Sequence, residues 1–376
     1  MRSLLPSALL LLALVAQPAA PQAPPPPPVA AKSWLLLDFN ADQAIAGQAE
    51  NERSEPASLT KLMSAYLVFE ALREKRIAPD QAVPVSNKAW RMGGARTFIE
   101  PRRPVTVEEL LSGMIVQSGN DATVALAELV AGSEEVFVQL MNRTAKRLGM
   151  KDTNFVNATG WPDPDHYSTA RDLATLAAAL IRDFPGRYQL YALKEFRYNN
   201  ITQQNRNRLL WLDPNVDGVK TGHTEAAGYC LIASAKRGQR RLISVVLGTK
   251  SDGLRTQESQ KLLNYGFQFY DSVRLYEKEQ PISTLRVWKG DRNEVKAGLA
   301  EDLYMVLPKG DAEKIKAELV SRQPLIAPVS AGQPVGTVRL TLDGKPMGEH
   351  TAVALETVPI AGMFGRLWDT MRLWFN

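Results

Sequence analysis

The chain has 376 residues, of which 45% are hydrophobic and 23% are charged. These proportions are typical of a folded soluble protein and exclude a disordered chain, and the length allows two domains or one large domain with an appendage. The formal net charge of +5 suits an anionic surface such as a membrane or a cell wall. The sequence has no dense tract of lysine and arginine, so we predict no nucleic acid partner.

The N-terminus predicts a secretory signal peptide over residues 1–20, because Arg2 precedes a short apolar core, LLPSALLLLALVA. Residues 21–31 read PQAPPPPPVAA, and prolines at this density predict an extended polyproline spacer rather than a packed element. No clean Ala-x-Ala triplet marks a cleavage point, so a short uncleaved anchor is the alternative.

The only cysteine is Cys230, so the chain has no internal disulfide. It lies in the apolar run GYCLIASA, where a small hydrophobic side chain in the core is expected rather than a nucleophile. Export without disulfides is typical of a bacterial envelope protein whose core is large enough to need no cross-link.

Residues 32–270 predict an α+β domain. The segment SWLLLDFNADQAIAGQ predicts two strands joined by an Asn/Asp turn, and GYCLIASAKRGQRRLISVVLG predicts a hairpin. Between them, helices are predicted after Pro56, in VTVEELLSGMIVQ with a capping box from Thr106 to Glu109, in ATVALAELVAG, in SEEVFVQLMNRTAKRLGM and in STARDLATLAAALIRDF. Strands that are distant in the chain must therefore meet in one sheet.

The pattern changes at residue 271. Residues 271–356 contain short alternating segments such as TLRVWKG, DLYMVLP and VGTVRLTLDGK, separated by glycine and proline turns. This pattern predicts a small β-rich domain.

Residues 357–376 predict an amphipathic helix. At helical spacing one face collects Ile360, Met363, Phe364, Leu367, Trp368, Met371, Trp374 and Phe375, and the opposite face collects Arg366, Asp369 and Arg372. The segment is too short and too charged to span a bilayer, but it suits the membrane interface. The alternative is a terminal helix that packs on its own domain; three large aromatic residues at the chain end favour the membrane.

One serine and one lysine lie at the start of an otherwise apolar helix, in EPASLTKLMSAYLVFEAL. Ser58 and Lys61 are three residues apart, so they share one helix face. Burial disfavours the ammonium form of Lys61, and a base that works near neutral pH needs a pKa about 3 units below the ordinary value. The pattern S-x-x-K alone has a simpler interpretation, a capping serine with a lysine that extends to solvent.

Two further motifs favour catalysis. The sequence S-G-N, with Ser118 and Asn120, falls between two predicted helices, and K-T-G starts at Lys220 just before an apolar run. A helix cap and a solvated turn explain each motif separately, but the order S-x-x-K, S-x-N, K-T-G matches a known catalytic set.

With these motifs the chain resembles the penicillin-binding proteins and serine β-lactamases, and it is most similar to the D-alanyl-D-alanine carboxypeptidases of the penicillin-binding protein 5 type. The resemblance runs from about residue 34 to the C-terminus and includes PASLTKLM, LLSGMIVQSGNDA, YSTARDLA and NVDGVKTGHTEAAGYCLIASA. It implies a transpeptidase-like domain with an antiparallel sheet and a helical cluster. A small β-sandwich-like domain and the C-terminal amphipathic helix would follow.

The resemblance implies the following catalytic roles. Ser58 would be the nucleophile that accepts the acyl group, and Lys61 would be its base. Ser118 would relay a proton to the leaving amine. Asn120 would hold the substrate amide or orient Lys61.

The resemblance also implies a substrate pocket. Lys220 would supply positive potential, and Thr221 would bind the terminal carboxylate of the substrate. Gly222 would belong to the same substrate-binding strip, residues 220–223. The oxyanion hole would be formed by backbone N–H groups of Ser58 and His223. Arg255, in GLRTQES, aligns with a family arginine near the carboxylate, although a solvated surface arginine is equally compatible with the sequence.

The implied activity is removal of the terminal D-alanine from peptidoglycan pentapeptide stems through an acyl-enzyme on Ser58, with β-lactams as covalent inhibitors. No cofactor is implied, and the histidines (His166, His223 and His350) are too dispersed in sequence for a metal motif. The implied location is the bacterial periplasm, at the outer face of the inner membrane.

Two alternatives remain at this point. A β-lactamase would share the fold and the nucleophile, but no E-x-x-L-N stretch that could drive deacylation lies between Asn120 and Lys220. A wall-binding protein with a vestigial site is disfavoured because every motif position retains workable chemistry.

Overall fold

The computed structural model describes residues 23–363 and 369–370. The predicted signal peptide, the first two residues of the predicted spacer and most of the predicted C-terminal helix lie outside these residues. Within the described part, helices and strands alternate up to about residue 270, and strands dominate the remainder.

The strands up to residue 249 are β1 (Ser33–Asp38), β2 (Gln43–Gln48), β3 (Ala82–Val83), β4 (Val105–Thr106), β5 (Glu195–Tyr198), β6 (Ile201–Gln204), β7 (Val216–Thr224), β8 (Gly228–Arg237) and β9 (Arg240–Thr249). Five of them form one antiparallel sheet in the order β2-β1-β9-β8-β7. The predicted first strand pair and the predicted β8–β9 hairpin are confirmed, and β7 is an edge strand.

The helices are α1 (Lys61–Arg73), α2 (Asn87–Trp90), α3 (Val107–Ser112), α4 (Asn120–Ala131), α5 (Glu134–Arg147), α6 (Ala170–Asp183), α7 (Pro185–Tyr188), α8 (Leu209–Leu212) and α9 (Asp252–Phe269). A 3-10 turn, Ala57–Thr60, leads into α1. The predicted capping box at Thr106 is present, but α3 widens into a π-helical turn, Gly113–Gln117, before the chain breaks at Ser118.

The sheet is covered on both faces, since alternate residues of each strand enter different cores. Leu35 of β1 and Ile243 of β9 face the helical cluster around α1, whereas Leu36 and Leu242 face α9. Helix α1 is central to the cluster, and every residue from Lys61 to Phe69 is buried. The prediction that this helix is buried nearly all round is confirmed.

The second part contains β10 (Tyr270–Tyr276), β11 (Ser283–Trp288), β12 (Glu294–Gly298), β13 (Leu303–Pro308), β14 (Ile315–Ser321), β15 (Leu325–Ile326), β16 (Pro334–Leu342) and β17 (Lys345–Ala354). Strands β10 and β13 pair with each other, and the others form a sheet in the order β14-β16-β17-β12-β11-β15. The predicted architecture, an α+β domain followed by a β-rich one, is confirmed.

The two parts contact each other through Asp38 at the end of β1. Its carboxylate accepts a hydrogen bond from Ser272 Oγ at 3.0 Å and pairs with Arg240 Nε at 2.9 Å. Asp38 is fully buried, so the hydrogen bond from Ser272 links the start of the second part to a buried carboxylate of the first.

The described part of the proline tract lies on α9 instead of standing free as a spacer. Tyr265 OH donates to Pro24 O at 2.8 Å, and Lys261 Nζ donates to Pro28 O at 2.9 Å. Polyproline backbone has no internal hydrogen bonds, so its carbonyls are available to these donors.

The start of the C-terminal segment is extended rather than helical. Val358 is buried and exchanges backbone hydrogen bonds with Val329 at 2.8 and 3.0 Å. The predicted start of the helix at residue 357 is therefore wrong. Further on, Asp369 accepts a hydrogen bond from Lys289 N at 2.6 Å. Among residues 23–363 and 369–370, no helix has the length and hydrophobicity needed to cross a bilayer.

Candidate active site

The first hydroxyl and amine pair lies where the 3-10 turn meets α1. Lys61 Nζ lies 2.9 Å from Ser58 Oγ, and it donates to Thr159 O at 2.6 Å. Lys61 is 1% exposed, so its amine has no bulk water around it. The S-x-x-K spacing thus brings the two side chains into hydrogen-bond contact, as predicted.

The environment of Lys61 lowers its pKa from 10.5 to about 7. Burial is the largest cause, and the positive charge of Arg206 adds to it, whereas Asp121 acts in the opposite direction. Lys61 is therefore able to exist as a free amine near neutral pH, which is the state that a base requires.

A second hydroxyl and amine pair lies beside the first. Ser118 ends the π-helical turn in a left-handed conformation, with φ of 68°. Lys220 Nζ lies 2.9 Å from Ser118 Oγ and donates to Thr221 O at 3.1 Å. Burial, followed by the charges of Lys61, Arg206 and Arg255, holds the pKa of Lys220 well below its usual range.

Asn120 starts α4 on the same side of the site. Its backbone N–H donates to Ala95 O at 2.8 Å, and its Nδ2 donates to Gly93 O at 2.8 Å. The amide nitrogen thus fixes the segment at Gly93 rather than Lys61. The next residue, Asp121, is fully buried and accepts hydrogen bonds from three backbone N–H groups of residues 97–99.

The sequence predicted the K-T-G motif just before a strand. In the structure the motif lies within strand β7. A Cβ on Gly222 would lie 3.1 Å from Pro56 O and 3.3 Å from Ala57 Cβ, so a larger residue there would crowd the 3-10 turn that carries Ser58. Its neighbours Thr221 and His223 line the cleft. The His223 ring also packs on Tyr229, with 4.0 Å between ring centroids.

Arg255 is buried rather than solvated. Its guanidinium donates to Gly222 O at 3.1 Å and Cys230 O at 3.4 Å, and it pairs with Asp252. It also lines the same cleft as Ser58. The alternative of a solvated surface arginine is wrong, and Arg255 adds a fixed positive charge because guanidinium groups stay protonated.

A cleft of about 1370 Å³ is lined by Ser58, Ser118, Asn120, Thr221, Gly222, His223 and Arg255. Lys61 and Lys220 are buried behind Ser58 and Ser118. The lining of the cleft includes several residues that the sequence interpretation did not name: Gly94, Thr159, Gly160, Trp161, Arg206, Trp211 and Tyr229. In the sequence, the asparagines on either side of Arg206 indicate an ordered loop. In the structure, Asn205 Nδ2 donates to Leu193 O and Asn207 Nδ2 donates to Gly218 O. These bonds hold the loop that presents Arg206 to the cleft.

The described residues contain no group of three or more His, Cys, Asp or Glu side chains suited to a metal ion. His166 is buried and lies 2.8 Å from Thr60 Oγ1, so it contributes to the packing around the 3-10 turn Ala57–Thr60. Cys230 is fully buried in β8, and burial raises the pKa of its thiol to about 11. The expected core position of Cys230 is therefore confirmed.

Comparison with known proteins identifies the family. Residues 19–251 match the family described as D-alanyl-D-alanine carboxypeptidase, peptidase family S11, and residues 270–359 match the penicillin-binding protein 5 C-terminal domain. The chain is 43% identical over 356 residues to D-alanyl-D-alanine carboxypeptidase DacC of Escherichia coli, covering 93% of this chain and 89% of that protein. It is 39% identical to DacF of Bacillus subtilis, covering 92% and 90% of the two chains.

A solved structure agrees with the sequence comparison. Penicillin binding protein 5 from Haemophilus influenzae superimposes with a TM-score of 0.86 at 40% identity, covering 89% of this chain and 99% of that chain. The chain belongs to the D-alanyl-D-alanine carboxypeptidase family and is a serine-type hydrolase that acts on peptidoglycan stem peptides.

Proposed function

We propose that Ser58 is the nucleophile and that it forms an acyl-enzyme with the penultimate D-alanine of a pentapeptide stem. The observation that carries this proposal is the presence of two hydroxyl and amine pairs, Ser58 with Lys61 and Ser118 with Lys220, at one cleft. A hydroxyl beside an uncharged amine can lose its proton as it attacks a carbonyl carbon.

Lys61 is the base in this scheme. The Ser58 hydroxyl proton moves to Lys61 Nζ while Ser58 Oγ bonds to the carbonyl carbon of the scissile amide. The pKa of Lys61, lowered to about 7, supports this role, since a base is most effective when its pKa lies near the working pH.

Ser118 and Lys220 serve the leaving group. The nitrogen of the departing D-alanine must gain a proton when the amide bond breaks, and Ser118 Oγ can pass one on from Lys220 Nζ at 2.9 Å. Asn120 shapes the same side of the site through Gly93 and offers its amide oxygen to the substrate backbone.

The strip from Lys220 to His223 binds the substrate. Thr221 and Arg255 receive the terminal carboxylate, which requires hydroxyl and cationic partners. The oxyanion is stabilised by the backbone N–H groups of Ser58 and His223, and Gly222 allows these two segments to approach. An extended peptide can pair with the free edge of β7.

A β-lactam presents an acyl group shaped like the D-alanyl-D-alanine terminus, so it acylates the same serine. Penicillin-binding protein D2 of Listeria monocytogenes, 31% identical over 65% of this chain, has been solved in a cefotaxime-bound form. Water then completes the cycle by hydrolysing the ester on Ser58.

The location follows from the termini. Residues 1–20 direct export to the periplasm and the proline-rich tract 21–31 follows. The catalytic domain is 32–270, the small β-rich domain 271–356, and the helix within 357–376 lies in the outer interface of the inner membrane. The apolar face of that helix, with its aromatic residues, supports this assignment.

The catalytic proposal is tested by mass spectrometry. Incubation with benzylpenicillin should add one penicilloyl mass to the intact protein, and peptide mapping should place it on Ser58. Ser58→Ala should remain folded and unlabelled. An unmodified wild-type protein, or labelling at another residue, would contradict the proposal.

The membrane proposal is tested by removal of residues 360–376. The truncated protein should leave the membrane fraction and should hydrolyse a soluble pentapeptide at an unchanged rate. A truncated protein that still sediments with membranes would place the anchor elsewhere.

A further inference from the structure

The segment from Asn157 to Trp161 is a tight loop wound around one amide side chain. Asn157 Oδ1 accepts hydrogen bonds from the backbone N–H groups of Thr159, Gly160 and Trp161, at 3.1, 2.8 and 3.0 Å. Asn157 Nδ2 donates to Trp161 O at 2.9 Å. Asparagine is suited to this role because its short side chain can replace backbone partners in a turn.

This loop docks on α1 through two consecutive carbonyl groups. Ser64 Oγ donates to Ala158 O at 2.6 Å, and Lys61 Nζ donates to Thr159 O at 2.6 Å. A Cβ on Gly160 would lie only 1.7 Å from Ala57 O, so the loop lies directly on the nucleophile turn. The loop therefore contacts both the turn of Ser58 and the amine of Lys61.

The Thr159 carbonyl matters because an uncharged amine has two N–H donors and a single lone pair. When one N–H is directed at a fixed carbonyl oxygen, the lone pair has fewer directions available. Ser58 Oγ lies 2.9 Å from the same nitrogen, at the distance that proton transfer requires.

We propose that Asn157 is a positioning residue for acylation: by fixing the Thr159 carbonyl, it directs the Lys61 lone pair towards Ser58. The inference rests on the proposed role of Lys61 as base. Asn157 itself does not line the cleft, and it acts through the loop backbone.

The test compares two variants of Asn157 with a matched control. Asn157→Ala removes every hydrogen bond that the Asn157 side chain makes to the loop, whereas Asn157→Asp keeps the acceptor oxygen. The control is Asn142→Ala. The Asn142 side chain donates to Phe155 O at 2.7 Å and accepts from Phe155 N at 2.9 Å, as the Asn157 side chain does with Trp161. It does not bind the loop that contacts Lys61. The acylation rate constant with a fluorescent penicillin is measured across pH, together with Tm.

Asn157→Ala should slow maximal acylation by about 10- to 100-fold, because small misplacements of a catalytic group have effects of this size. Asn142→Ala should lower Tm comparably and leave the rate within about twofold, since it removes the same kind of bond away from the amine. Asn157→Asp should recover the rate at high pH, with its midpoint moved to higher pH, because a nearby carboxylate favours the ammonium form of Lys61. The other charged or titratable groups acting on Lys61 stay in place in all variants: Asp121, His166, Arg206 and Lys220.

Three results would overturn the inference: an unchanged rate in Asn157→Ala, an equal loss in Asn142→Ala, or no recovery in Asn157→Asp at any pH. Lys61→Ala separates this from the underlying mechanism. If Lys61→Ala acylates normally, the proposed base is wrong; if it is inactive while Asn157→Ala is normal, only the positioning role fails. Should Asn157→Ala not fold, the pH profile of Asn157→Asp decides.

Discussion

Acylation should depend on pH through Lys61. Burial and Arg206 lower its pKa from 10.5 to about 7. With the ordinary value, about one Lys61 in 3000 would be uncharged at pH 7, compared with about half at the lowered value. The environment thus favours the free amine over the ammonium by about 5 kcal/mol relative to a lysine in water. This difference makes the uncharged form available near neutral pH.

The assay is stopped-flow acylation by a fluorescent penicillin between about pH 5 and 9. The rate should rise about tenfold from pH 6 to pH 8, since the uncharged fraction of Lys61 rises from about a tenth to about nine-tenths. Arg206→Gln should move the midpoint to higher pH because it removes a positive charge that lowers the pKa of Lys61.

The control is Arg339→Gln, which removes an equal charge from an exposed ion pair with Glu349 in the second domain. It should leave the midpoint unchanged. A flat profile, a midpoint near the ordinary lysine pKa, or equal shifts in both arginine variants would refute the reasoning.

Three further changes test the framework of the site. Gly160→Ala should abolish acylation and lower Tm, because its Cβ would overlap Ala57 O and its φ of 82° disfavours a side chain; a wild-type rate would contradict the observed contact. Burial lowers the pKa of His166 from 6.5 to about 4. The unfolded chain therefore binds this proton first, and the free energy of unfolding should fall by about 3 kcal/mol as pH falls from about 6.5 to 4. His166→Gln should remove that component from urea titrations, and an unchanged pH dependence would disprove it. Asp38→Ala should cost about 3–5 kcal/mol in the same assay, because it leaves Arg240 without its buried partner; a loss below about 1 kcal/mol would show that the pair is solvated.

The sequence was sufficient to predict contacts between residues that lie within one or two helical turns of each other. A separation of three residues on a helix determines that Ser58 and Lys61 meet, and the apolar run around them implies burial. Helix α3 was predicted from its capping box for the same reason, since both partners lie within one turn. The order of the three motifs then added the family resemblance, which supplied the remaining residues.

Contacts between distant segments were not predictable in this way. Thr159 and Arg206 lie in loops without periodicity, and only the tertiary fold brings them to Lys61. The K-T-G motif was predicted just before a strand, whereas it lies inside edge strand β7, where a cleft can accommodate its polar side chains. The proline tract was interpreted as free because its composition shows no partner, whereas its carbonyls bind side chains of α9.

The crowding of cations around Lys220 has a consequence for ligand binding. Burial and the charges of Lys61, Arg206 and Arg255 favour the neutral form of this amine. A ligand that carries a carboxylate into the cleft adds the opposite charge and so favours the ammonium form. Binding of such a ligand therefore raises the pKa of Lys220, at the amine that contacts Ser118. In the proposed mechanism, the carboxylate of the substrate thus favours the protonated form of the amine that serves its own leaving group.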